Sequence, residues 1–170
     1  MKKMKKSYQS GLTLVELTLT LAVLSIAASI ALPELNQLVV SNRNQAAMHE
    51  LHALLQQARS QAVTRKRTLE LCPSLDGLKC STNWTHPRLL RVRSSSQPLS
   101  HTPAHAGSGE LRWAGFSGSI RFYNTGISPI SNGRFFICEE KVISQQLIIN
   151  KQGRIRWGSK LENQQESTRC

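Results

Sequence analysis

The stretch "SGLTLVELTLTLAVLSIAASIALP", Ser10 to Pro33, decides how the rest of the chain is read. From Leu12 to Leu32 it is apolar and long enough to cross a bilayer as one helix. The residues before it, "MKKMKKSYQSG", are basic and polar. A secretory signal peptide would have a shorter apolar run and a small-residue cleavage site behind it, and neither is found. The run also contains a carboxylate, Glu16. A charge in an apolar span is costly and asks for a partner. A plain membrane anchor accounts for the apolar run but not for Glu16.

In these residues the chain resembles the type IV pilins and pseudopilins, whose class III leader ends at a glycine just before the apolar helix. The resemblance implies cleavage by a prepilin peptidase after Gly11 and N-methylation of Leu12, the new first residue. Glu16 then becomes the fifth mature residue and Pro33 the twenty-second, as in the family pattern. Leu12 departs from the commoner phenylalanine. The implied life history starts in the inner membrane, as a single-pass protein with its globular part in the periplasm. It ends in a pilus at the cell surface, among other pilins. There Glu16 can pair with a neighbour's N-terminal amine, which would offset the cost of burying its charge. Pro33 lacks a backbone N–H and is expected to kink or loosen the helix.

Beyond Pro33, Met48, Leu51, Leu54, Leu55, Ala58 and Ala62 recur at spacings of three and four. This is an amphipathic helix with one stripe for a core, running to about Thr64. After Arg67 the runs "TLELC", "LLRVR", "SIRFY", "RFFIC" and "QQLIIN" read as short strands, punctuated by "DG", "NTG" and "SNG". Ser94 to Glu110 reads as one long exposed loop. Glu139 and Glu140, if in a strand, point to opposite faces. The fold class is α+β. It resembles the GspH/FimT family of minor pilins and pseudopilins, which implies a long N-terminal helix, membrane-spanning in its first half, packed on an antiparallel β-sandwich. The expected divisions are a leader at 1–11, a membrane and filament-core helix at 12–33, an amphipathic continuation at 34–66 and a β-rich domain with a basic tail at 67–170.

Four cysteines, Cys72, Cys80, Cys138 and Cys170, lie outside the apolar run, and an oxidising periplasm would pair them. Of the three possible pairings, Cys72–Cys80, which closes "CPSLDGLKC", and Cys138–Cys170, which ties down the chain end, are preferred. Each such bridge adds roughly 2–4 kcal/mol. Zinc is disfavoured by the absence of a C-x2-C pair or matched histidines, and His101 and His105 read as solvated. No phosphate-cradling glycine loop, nucleophile elbow or H-E-x-x-H is present, and the carboxylates are scattered. Neither an enzyme nor a cofactor is expected. "NWT" at Asn83 matches a glycosylation acceptor, a pattern frequent by chance.

The 170 residues carry 22 Lys+Arg against 10 Asp+Glu. Removing residues 1–11 takes away four lysines and no acid, lowering the formal charge from +12 to +8. An excess of that size favours a polyanionic partner or simply solubility. The tail concentrates it in "NKQGRIRWGSK", Asn150 to Lys160. Gly153 supplies a hairpin turn, and in an extended "RIRW" Arg154 and Arg156 share one face, Ile155 and Trp157 the other. The apolar pair packs inward and the guanidiniums point outward, with Lys151 and Lys160 nearby. On the residues alone this is either a phosphate grip or a solvated edge strand whose charges deter aggregation. Gly153, Arg154 and Arg156 match the C-terminal G-R-x-R of FimT-like minor pilins, which implies binding of double-stranded DNA for natural transformation. Arg134 and Arg169 are candidate helpers. The rival readings are a type II secretion pseudopilin or pilus-priming subunit without DNA contact, and an adhesin. If the leader reading holds, Gly11→Ala leaves an uncleaved, unassembled precursor, seen as a slower band on an immunoblot; normal processing of that variant rejects it.

Overall fold

The computed structural model describes residues 13–95, 97–104 and 109–170. Helix α1 spans Leu14–Thr64 without interruption and passes through Pro33. Its start is capped by the Thr13 hydroxyl, which accepts the Glu16 N–H at 3.2 Å. Within the apolar span, the hydroxyls of Thr18, Thr20, Ser25 and Ser29 each donate to a carbonyl three residues back. A polar group in a membrane helix is thereby satisfied inside its own segment. Two units, Met1–Val39 and Val40–Cys170, divide the chain. In the first, every described residue is exposed and α1 is apolar enough to cross a membrane.

The second unit holds the core. Among the described residues eight strands follow α1: β1 Leu69–Pro73, β2 Arg88–Val92, β3 Pro98–Thr102, β4 Leu111–Gly115, β5 Ile120–Phe122, β6 Gly133–Glu139, β7 Val142–Ile149 and β8 Ile155–Trp157. They form two antiparallel four-stranded sheets, ordered β3-β2-β1-β5 and β4-β6-β7-β8. The stripe Met48, Leu51, Leu55, Ala58 and Ala62 is fully buried, in one cluster with Leu69, Leu71, Ile120 and Phe122 from the first sheet and Phe135, Ile137, Leu147 and Ile149 from the second. The amphipathic period set this face, and Trp84 fills the cluster edge against Phe135 at a ring distance of 4.6 Å.

Three sequence expectations change. The Ser94–Glu110 segment contains strand β3, which pairs with β2, so it is not one long loop. Pro98 is tolerated because it opens an edge strand, where a missing N–H costs little. His105 lies outside the described residues. "LRWAG" makes strand β4, which the β-prone runs did not include. Glu140 is not in a strand: with φ values of 49° and 66°, Glu140 and Lys141 turn the chain from β6 into β7. A short helix α2, Lys160–Gln165, and a 3-10 turn, Ser167–Arg169, close the chain. Cys72 is bonded to Cys80 and Cys138 to Cys170.

Strand β1 is buried on both faces. Leu69 and Leu71 enter the core, while Glu70 faces the other way and is only 1 % exposed. The register sets Arg91 of β2 and Arg121 of β5 directly beside it. Its carboxylate accepts from Arg91 at 2.7 Å, Arg121 at 2.9 Å, Arg93 at 2.9 Å and the Ser119 hydroxyl at 2.8 Å. Burial pushes the Glu70 carboxyl up, but the hydrogen bonds from Arg91, Arg121, Ser119 and Arg93 outweigh it and hold it at about 2. Because the folded value lies below the unfolded one, this stabilisation is complete above roughly pH 5 and is lost as pH falls towards 2. Glu70→Gln leaves three guanidiniums around a neutral group and is expected to cost about 3–5 kcal/mol in urea unfolding. The variant also loses the stability gain that the parent shows between pH 2 and 5; a parent-like acid profile would refute the assignment.

Candidate nucleic-acid interface

Strands β7 and β8 pair with Ile149 opposite Ile155, Ile148 opposite Arg156 and Leu147 opposite Trp157. The turn between them is tied by Asn150 three ways. Its N–H donates to the Arg154 carbonyl at 3.1 Å, its carbonyl accepts from Gly153 at 2.9 Å, and its side-chain oxygen accepts the Arg154 N–H at 2.9 Å. Gly153 has φ 73°, a left-handed conformation natural to glycine. A Cβ there would also lie 2.1 Å from the Gly126 carbonyl oxygen. The turn is therefore docked on the β5–β6 loop, where Ser128 N–H donates to the Lys151 carbonyl at 2.9 Å. Arg59 of α1 reaches the same junction, with Nε 3.0 Å from the Gly126 carbonyl oxygen.

The side chains alternate on this support. Ile155 is buried, and Arg154 and Arg156 are exposed. Trp157 is half-buried and rests on the rings of His49 and His52 of α1, at centroid distances of 4.8 and 5.5 Å. It is a packing group. A groove beside the turn is lined by Asn132, Arg134, Ile148, Asn150, Lys151 and Gln152.

Exposure does not make the two arginines equivalent. Arg156 forms a bidentate pair with Glu162 of α2, at 2.9 and 2.6 Å. The Arg156 hydrogen bonds, then the Ser159 N–H at 2.8 Å, hold the Glu162 carboxyl at about 2. Ser159 and Glu162 form a reciprocal capping box at the start of α2, so one carboxylate serves the helix cap and Arg156 together. Arg134 and Arg169 both converge on Glu166. By contrast, none of Lys151, Arg154 and Lys160 lies within ion-pair distance of a carboxylate among the described residues. Lys151 and Arg154 flank the turn, and Lys160 opens α2.

Two contributors to the site were absent from the sequence reading. Glu162 had a local signal, since "SKLE" has the S-x-x-E spacing of a capping box. Arg59 had none; it is one polar residue among many flanking the stripe of α1. Among the described residues, no group of three His, Cys, Asp or Glu side chains could hold a metal ion. His101 is exposed and sits 3.2 Å from the Ser74 carbonyl oxygen.

A family model described as type II transport protein GspH matches residues 47–153, which contain the buried part of α1 and seven of the eight strands. The chain belongs to the GspH family. A model of the prokaryotic N-terminal methylation motif matches residues 6–32. The type IV major fimbrial protein FimA of Dichelobacter nodosus is 31% identical over 110 residues, covering 62% of this chain and 61% of that protein, so the match spans about three-fifths of this relative. Two crystal forms of the Pseudomonas aeruginosa type IV minor pilin FimU resemble the structure. One has a TM-score of 0.58 at 25% identity, covering 69% of this chain and 90% of FimU. The other has a TM-score of 0.55 at 24% identity, covering 68% and 92%. The protein is a type IV minor pilin or pseudopilin, with a long N-terminal helix packed on antiparallel sheets. In this pilin Glu16 and Pro33 lie in α1, both exposed, while Gly11 and Leu12 fall outside the described residues. If the docked turn is as tight as its geometry implies, Gly153→Ala lowers unfolding stability by roughly 1–3 kcal/mol. Thermal melting checks this, and an unchanged midpoint would contradict it.

Proposed function

We propose that this minor pilin captures extracellular double-stranded DNA by its phosphates, for uptake in natural transformation. The observation that supports it best is Arg154, an exposed guanidinium without a carboxylate partner among the described residues, held on a turn fixed by Asn150 and Gly153. A planar guanidinium suits phosphate oxygens, and a rigid support spares the entropy of ordering it on binding. Lys151 and Lys160 add mobile point charges, and Arg156 completes the G-R-x-R pattern with its charge shared with Glu162. Contacts of this kind neutralise phosphates and release counterions without reading sequence, so binding is salt-sensitive and nonspecific.

The rest of the proposal follows the methylation motif over residues 6–32. A prepilin peptidase cuts the 1–11 leader after Gly11, and Leu12 becomes the methylated N-terminus. Residues 12–33 hold the subunit in the inner membrane with the globular part in the periplasm, then join the filament core among other pilins. Glu16 pairs there with a neighbouring amine, and Pro33 loosens the helix. Residues 34–66 continue it into the β-rich part, 67–170. The subunit acts by capture, not catalysis, and filament retraction draws the DNA inward. The family description, a type II transport protein, favours one alternative: a pseudopilin that shares this architecture and makes no DNA contact.

The test is a titration of the full chain, in neutral detergent, with double-stranded DNA at several salt concentrations. Arg154→Gln combined with Arg156→Gln is expected to abolish or greatly weaken binding and to lower the salt slope by up to about two. Arg154→Gln alone takes the larger share, because Arg156 is already paired. Unchanged affinity in the double variant would favour the pseudopilin.

A further inference from the structure

The end of α1 places a second set of cations beside the Arg154 turn. "TRKRT", Thr64 to Thr68, puts Arg65, Lys66 and Arg67 in succession, and all three are exposed. None lies within ion-pair distance of a carboxylate among the described residues. The helix closes there with two bonds. Arg67 N–H donates to the Ala62 carbonyl at 3.1 Å, and Lys66 N–H to the Val63 carbonyl at 3.2 Å. This is the Schellman arrangement, which puts one residue in the left-handed region and is usually completed by glycine. Here that residue is Lys66, with φ 51°. A lysine thus stands where glycine is favoured, as Glu140 and Lys141 do in the β6–β7 turn.

The last turn of α1 and the tail turn both pack against Gly126. A Cβ on Gly126 would lie 3.1 Å from the Val63 side chain of α1, and the Gly126 carbonyl oxygen packs on Gly153 of the tail turn. Arg59 spans the junction, donating to the carbonyls of Gly126 and, at 3.5 Å, Gln152. It too has no carboxylate partner among the described residues, and it lines a groove with Val63, Thr64 and Thr125. Arg154, Arg59 and the Arg65–Arg67 corner belong to one compact unit, with the tail turn, the Gly126 loop and the last turn of α1 packed together between them.

We propose that Arg65, Lys66 and Arg67 form a second phosphate-contacting corner, which takes the same double-stranded DNA as the Arg154 turn and is joined to it through Arg59. This rests on the DNA reading above. Two fixed clusters with a groove between them suit a rigid polyanion with regularly spaced phosphates. Cations just past a helix C-terminus also interact favourably with its dipole, which is the competing explanation for the cluster.

Lys66→Gly separates the two. Glycine takes the left-handed conformation freely, so the melting temperature is expected to stay the same or rise. DNA binding by the full chain in neutral detergent should nevertheless weaken, with the salt slope falling by about one. Arg65→Gln with Arg67→Gln, which leaves the Lys66 backbone untouched, should lower the slope by about two. The probe is a double-stranded oligonucleotide of mixed sequence, with Arg154→Gln run in parallel. If Arg154→Gln weakens binding while the three corner substitutions leave affinity and slope unchanged, the second corner is rejected and the first stands. If none of these substitutions alters affinity or slope, the DNA reading itself fails. Loss of binding to phosphatidylglycerol vesicles with DNA affinity retained assigns the corner to a membrane surface and overturns the proposal.

Discussion

The burial of one stripe of α1 against both sheets is the contact on which the globular unit depends. Met48, Leu51, Leu55, Ala58 and Ala62 have no exposed surface, and they share a cluster with strands of each sheet. Neither sheet could cover its apolar face without them. The same seating fixes what lies beside the stripe. Arg59 is held against the carbonyls of Gly126 and Gln152, and His49 and His52 support Trp157. The helix that forms the core also positions the basic tail.

Ion pairing then sorts the positive charge into two populations. Glu70 collects Arg91, Arg93 and Arg121, Glu166 collects Arg134 and Arg169, and Glu162 holds Arg156. These guanidiniums are engaged within the fold, and at Glu70 a buried carboxylate would be costly without them. Among the described residues, the cations outside ion-pair distance of a carboxylate include Lys151, Arg154, Lys160, Arg59 and the three at the end of α1, with Arg43, Lys79 and Lys141 elsewhere. A positive excess in composition is thus divided between cations that ion-pair within the fold and cations that do not, and the proposed DNA contacts draw mainly on the second group. The pairing also gives the two motif arginines different standing, with Arg154 open to a ligand and Arg156 shared with a helix cap.

The chain end is held in several ways at once. Cys170 is bonded to Cys138, Asn163 donates to the Ser144 carbonyl, and Ile143 N–H donates to the Ser167 hydroxyl. Helix α2 is short, and a helix of that length has little stability alone. Its capping box, the Arg156 pair and the disulfide supply what its length does not. The charged tail is consequently part of the folded unit.

The apolar span with Glu16, the amphipathic stripe and the alternation in "RIRW" were legible in sequence because each depends on neighbours a few residues apart. Helical and strand periods make such patterns local, and the buried stripe and the inward Ile155 follow them directly. Strand β3 was hidden because Pro98 is a strand breaker except at an edge, and edge position is a property of the sheet. The arginine ring around Glu70 comes from strands far apart in the chain, set side by side by register. The partner of Arg156 was likewise decided by where α2 folds back, not by the motif. Sequence by itself determined the long helix followed by a β-rich part, and which side chains of the α1 stripe and of "RIRW" face inward. Only the tertiary structure decided which charges are neutralised, because pairing requires contact between groups that the chain does not place together.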